Sequence, residues 1–498
     1  MQLLIPGTEQ HLKFLFTFFT SEFINGHGQS LHHRLLHNLW DHPVNVKHSR
    51  LTARQLCVRK STSSPAESEP LQELSFIELI RKSGDDVKQQ TGNARPGIMT
   101  KENIMAISKK INGFISQSSW IRKMFEEGVK LKQQYGADQV FDFSLGNPNI
   151  EPPPAFREHL DRVIGTGTPG MHAYMPNAGY PETRAAVAAY LSQGHGIALS
   201  GEHIIMTCGA GGALNVILKT LLDAGDEVLS PTPFFVEYRF YVDNAGGVLK
   251  TVSTKEDFSL NLDAMADAIN ERTKVVLINS PNNPTGRIYD EASIRKLAAL
   301  LEEKGRTLGK VIYLISDEPY SEIVYDGLQT PSILRAYPNS IIATSYSKSL
   351  SLPGERIGFI AVNPNILDLA QVIDGMILCN RILGFVNAPA LMQRVIAGVQ
   401  GMRVDVSEYK RKRDLLCDGL AACGYDFYKP EGAFYLFPET PVPDDVEFVR
   451  ALQKRRILTV PGSGFGGPGH FRIAYCVDDQ TIINAMDGFA ETMKEFKS

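Results

Sequence analysis

The chain has 498 residues, 43% of them apolar and 21% charged, with 51 basic against 55 acidic side chains and a formal net charge of -4. That length suits about three domains at roughly 150 residues each, with a core that needs neither disulfides nor metal. The near-neutral balance excludes a protein built to coat nucleic acid or an anionic membrane, which requires a concentrated excess of Lys and Arg.

The first hundred residues read differently from the rest. Seven of the twelve histidines fall in the first 48 residues, and no methionine occurs between Met1 and Met99. The best apolar run, Leu12 to Phe19, is far short of the ~18 residues that span a bilayer. The His-rich stretch Leu31 to His37 has no carboxylate or cysteine to complete a ligand set, so no metal is expected. Ser61 to Pro70 has linker composition. Residues 1–98 are therefore expected to be an irregular, dispensable extension, read through from a wrong start. A cleaved organellar leader fits less well with Glu9, Glu22 and Asp41. The six cysteines, Cys57, Cys208, Cys379, Cys417, Cys423 and Cys476, show no Cys-x-x-Cys spacing. A reducing, cytoplasmic location is the expectation.

Residues 99–149 are expected to form an arm and a helix joining a small domain, with helical spacing from Ser119 to Val129. Pro181 opens a further helix at its first turn. Short β-branched runs follow at His203–Thr207, Glu227–Leu229, Lys274–Ile278, Val311–Ile315, Ile341–Thr344 and Ile357–Val362. Runs that are apolar on both faces and alternate with helices predict an α/β fold, a mostly parallel sheet layered between helices, over 150–385. Residues 386–498, with short strands at Ala433–Phe437 and Phe471–Tyr475, predict a smaller α+β domain.

Ligands of such sheets bind beyond the carboxyl ends of the strands. There the sequence places Cys208-Gly209-Ala210-Gly211-Gly212, a small-residue turn opening a helix, where bare amides suit a phosphate. It also places Ser280-Pro281-Asn282-Asn283-Pro284-Thr285-Gly286, Ser316-Asp317-Glu318-Pro319-Tyr320 and Ser345-Tyr346-Ser347-Lys348, with Arg356 eight residues on. Charged groups at the ends of buried strands need a polar partner. A phosphate on the Gly turn, a carboxylate for a ring nitrogen and a lysine for an aldehyde together describe pyridoxal phosphate.

On these motifs, in this order, the chain from about Ser108 to Phe496 resembles the fold-type I, class I/II aminotransferases. The resemblance implies that Lys348 forms the Schiff base with pyridoxal 5'-phosphate and then acts as general base. It implies that Asp317 pairs with the pyridine nitrogen, that Tyr320 and Asn283 bond the phenolic oxygen, and that Phe235 stacks on the ring. Ala210, Gly211, Ser345, Ser347 and Arg356 would hold the phosphate. Arg472, with Gly146 and Asn283, would hold the substrate α-carboxylate. Tyr174 would reach the phosphate of a neighbouring subunit, making the active unit a homodimer. Arg381 is read as an anchor of its turn, and Lys109 and Lys110 as a solvated pair.

The activity so implied is transamination between an L-amino acid and a 2-oxo acid, of the aspartate/2-oxoglutarate type. A β-lyase or cyclopropane-forming synthase would keep the same residues, because fold does not settle reaction. An aminotransferase-like transcription regulator is a further alternative, but the N-terminal segment has no convincing helix-turn-helix.

Overall fold

The structure, a computed structural model, describes residues 106–116 and 120–497. The expectations for residues 1–98 lie outside the described residues. Twelve strands occur among those described: β1 (Phe141–Asp142), β2 (Ile204–Thr207), β3 (Glu227–Thr232), β4 (Val248–Ser253), β5 (Thr273–Asn279), β6 (Tyr313–Asp317), β7 (Ser340–Ser345), β8 (Gly358–Val362), β9 (Tyr435–Leu436), β10 (Ile457–Leu458), β11 (Val460–Pro461) and β12 (Phe471–Ala474).

Seven of them form one sheet in the order β2-β8-β7-β6-β5-β3-β4. The β4, β3, β5, β6 and β7 pairings are parallel, and β8 runs antiparallel to both β7 and β2. Every residue of β2, β6 and β8 is buried, as expected when helices cover both faces of a sheet. One apolar cluster lies on each side: one built around Leu297, Leu301 and Val395, the other around Leu214, Ile217 and Met376. The mostly parallel three-layer reading thus matches the structure. The sequence pattern does not reveal β4, because this edge strand is largely open to solvent and carries Lys250 and Thr251 among its apolar residues.

A third cluster, around Phe448, Tyr475 and Phe489, forms the core of the small domain. There β9, β12 and β11 make an antiparallel sheet, and β1 pairs with β10. The expected domain boundary at 385 needs correction. The helix Ala390–Ala397 packs Met392, Val395 and Ile396 into the large-domain core, as does Val399, and Val404 is the next residue to join the small one. Two helices are described within the 99–149 block, expected to be an arm and a helix joining the small domain. Helix Trp120–Tyr135 contributes Met124 to the small-domain core. Helix Lys109–Ser116 rests instead on the large domain, with Phe114 edge-on to Phe240 at 5.0 Å and Lys110 paired to Asp243 at 2.7 Å. No described helix is long and apolar enough to cross a membrane.

Candidate active site

Strand register explains why residues far apart in sequence converge. Thr207 and Ser345 both lie opposite Gly358, and Asn279 lies opposite Asp317, which lies opposite Ala343. Because β8 runs against its neighbours, its start, the β7 end and the β2 end share one edge. The Gly turn, the Ser345–Lys348 segment and Arg356 therefore meet there. A cavity of about 360 Å³ opens at this edge. Its wall includes Gly146, Ala210, Gly211, Phe235, Asn283, Asp317, Tyr320, Ser345, Ser347, Lys348, Arg356 and Arg472. Two roomier clefts, each about 910 Å³, do not include Lys348.

Every expected site residue except Tyr174 is in that wall. Tyr174 is 89% exposed. Arg381 is exposed in the last turn of helix Leu369–Ile382, and neither Lys109 nor Lys110 lines the cavity.

Helix Gly209–Leu221 points its N-terminus into the cavity. Gly209 has φ of 72°, a backbone state that L side chains rarely adopt, and a Cβ there would lie 2.9 Å from Arg356 Nη2. The guanidinium thus sits against bare helix amides, which is an anion site. Ser345 caps the short helix Tyr346–Ser349 by accepting from the Ser347 amide, which holds both serines beside it.

Asp317 ends β6, with 4% exposure. Tyr238 donates to its Oδ2 at 2.6 Å, and Asn279 Nδ2 donates to its backbone oxygen at 2.7 Å. Its Oδ1 is buried with no hydrogen-bond partner, which is costly for a buried acceptor. Burial raises the Asp317 carboxyl to about 7, and the Tyr238 hydrogen bond opposes that rise. A cationic donor at Oδ1 would restore the carboxylate. A protonated pyridine nitrogen is such a donor, and the anion site suits its phosphate, so the residues present fit pyridoxal phosphate.

Lys348 Nζ donates to the Gly146 backbone oxygen at 2.8 Å. Burial lowers its ammonium to about 8, Arg472 and Arg356 push the same way, and Cys476 opposes. With its titration lowered toward neutrality, part of the amine is neutral near pH 7, and that is the form that can act as nucleophile or base. Arg472, on β12 and 2% exposed, donates from Nη2 to the Ser144 oxygen at 2.6 Å and from Nη1 to Asn283 Oδ1 at 3.2 Å. Tyr435 and Phe465 each lie under its guanidinium, 4.7 and 4.8 Å from their ring centroids. Its Nε has no partner. A buried, forked cation of this kind suits a carboxylate.

No sequence motif marks Tyr238, Asn279 or Tyr435, which the fold brings to the cavity or its Asp317. For Tyr238 a signal existed, since it follows Phe235 by three residues and the two rings meet edge-on at 5.6 Å. Tyr238→Phe removes the donor to Asp317 and is expected to lower kcat about tenfold, the scale of one charge-assisted hydrogen bond. Without that bond the Asp317 carboxyl rises further, so a higher pH is needed to ionise it. The acid limb of the kcat profile is expected to move to higher pH. An unchanged profile would refute the assignment.

Residues 138–489 match the family described as "Aminotransferase class I and II". The chain is 32% identical over 353 residues to a probable aspartate aminotransferase of Methanocaldococcus jannaschii, covering 69% of this chain and 91% of that one. It is 32% identical over 373 residues to a probable aspartate/prephenate aminotransferase of Aquifex aeolicus, covering 72% and 91%. A solved aminotransferase structure from Eubacterium rectale superposes with a TM-score of 0.77 at 39% identity, covering 79% of this chain and 100% of that one. With site and matches in agreement, the chain belongs to the class I and II aminotransferase family and is a pyridoxal-phosphate-dependent aminotransferase.

Proposed function

We propose that this aminotransferase exchanges the amino group of L-aspartate, or a close relative of it, with 2-oxoglutarate in a ping-pong reaction. The observation that carries this reading is one cavity joining the Lys348 amine, the unpartnered Asp317 oxygen, Arg356 and Arg472. The aspartate names of the relatives support the donor.

When bound, pyridoxal phosphate supplies an electron sink that acidifies the α-proton of the amino acid. Asp317 Oδ1 accepts from the ring nitrogen and keeps it protonated. The Ala210 and Gly211 amides, Ser345, Ser347 and Arg356 hold the phosphate. Phe235 would cover the cofactor ring, while Tyr320 and Asn283 would hydrogen-bond its phenolic oxygen. Arg472, with Asn283 and the Gly146 loop, holds the substrate α-carboxylate. Lys348 Nζ takes and returns the α-proton.

The working unit in this reading is a homodimer. Tyr174 is 89% exposed, and Ile107, Ile111 and Ile115 place 44%, 47% and 59% exposed apolar side chains at helical spacing, a surface that a second copy would cover. Tyr174 then reaches the neighbouring phosphate. The five described cysteines are free thiols, which supports a reducing compartment such as the cytoplasm. A panel of amino donors with 2-oxoglutarate tests the assignment. Aspartate should give the highest kcat/KM, with parallel double-reciprocal lines. Intersecting lines, or a clear preference for an aromatic donor, would overturn the corresponding part.

A further inference from the structure

Tyr435 joins the two halves of the site without belonging to any motif that revealed it. It lies on β9, in register with Ala474 of β12, and is 3% exposed. Three observations meet on it. Its hydroxyl is 2.8 Å from that of Tyr320. Its ring lies under the Arg472 guanidinium. The Gly146 backbone, whose oxygen holds Lys348, passes so close that a Cβ there would lie 2.0 Å from the Tyr435 hydroxyl. A hydroxyl set between the carboxylate clamp, the lysine's loop and Tyr320 has more than a packing role open to it.

The direction of the Tyr320–Tyr435 hydrogen bond follows from Tyr320's other task. Where Tyr320 gives its single proton to the phenolic oxygen of the cofactor, its own oxygen can only accept. Tyr435 is then the donor. A donor behind a donor polarises the chain and strengthens the outer bond. Burial raises the Tyr435 phenol to about 12, so it keeps its proton throughout the working range.

We propose that Tyr435 is a positioning residue whose hydroxyl donates to Tyr320, strengthening Tyr320's hydrogen bond to the phenolic oxygen of the cofactor and so setting the pH at which the bound cofactor loses its proton. This rests on the assignment of Tyr320 given above. A stronger bond from Tyr320 would stabilise negative charge on the phenolic oxygen of the bound cofactor and so hold its titration low.

The test is a pH titration of the visible absorbance of the holoenzyme, with and without the hydroxyl. Tyr435→Phe keeps the ring under Arg472 and should raise the midpoint by about 0.5 pH unit, the scale of a cooperative rather than a direct bond. It should also leave the dissociation constant for a simple dicarboxylate such as maleate within twofold. Tyr320→Phe should raise the midpoint more, and adding Tyr435→Phe to it should move it no further. Placing 3-fluorotyrosine at position 435, a stronger donor of nearly the same size, should lower the midpoint, and this arm stands if the phenylalanine variant folds poorly. If Tyr320→Phe shifts the titration and neither change at position 435 does, the role of Tyr435 is overturned while that of Tyr320 stands. If none shifts it, both fall. An equal Tyr435→Phe shift in the Tyr320→Phe background also overturns the proposal.

Discussion

Lys348→Ala is expected to lower kcat at least 10²- to 10⁴-fold, the range that a positioned proton carrier contributes. Three cations line the cavity, Lys348, Arg356 and Arg472, and only the lysine is shifted to about 8, close to neutral pH. A guanidinium is always protonated, so Lys348→Arg keeps the charge and loses the neutral amine. It should be as inactive as the alanine variant, which separates a proton carrier from a mere positive charge. Single-turnover absorbance changes after adding an amino acid to each variant make the measurement. A rate for Lys348→Arg within tenfold of wild type would remove Lys348 from its role.

Arg472→Lys is expected to lower kcat/KM by about 10²- to 10³-fold, since disrupting a buried, hydrogen-bonded charge pair costs roughly 2–5 kcal/mol. Lysine offers a point charge without the fork. It cannot bond the Ser144 oxygen and Asn283 Oδ1 while presenting another donor to a substrate, nor lie flat against Tyr435 and Phe465. KM for donor and acceptor should rise together, because both carry the same α-carboxylate, while the absorbance of bound cofactor stays intact. A variant that loses cofactor absorbance but retains its KM values would mean that Arg472 acts structurally.

Much of this site was legible because polar and charged residues at the ends of apolar strands have few bland explanations. Asp317, Ser345, Lys348 and Arg356 each follow or precede a buried β-branched run, and the strand register brings them to one edge. What stayed hidden depends on contacts between elements. Tyr435 reads as one more inward strand residue until the small domain sets its hydroxyl against Tyr320 of the large one. Tyr238 opens a short helix like many others, and only the fold aims it at Asp317. The domain boundary is hidden for a related reason. The apolar spacing of Ala390–Ala397 predicts a helix equally well in either domain, and its packing against the large-domain core decides the matter. Tyr174 is a different case, since its expected partner is a second copy of the chain.

The most direct test of transamination is to mix the holoenzyme with L-aspartate alone and to count the oxo acid formed. The expected result is one oxaloacetate per active site, a matching loss of the original cofactor absorbance, and no further turnover until 2-oxoglutarate is added. Continuous release of ammonia, or oxo acid accumulating beyond one equivalent without an acceptor, would contradict it.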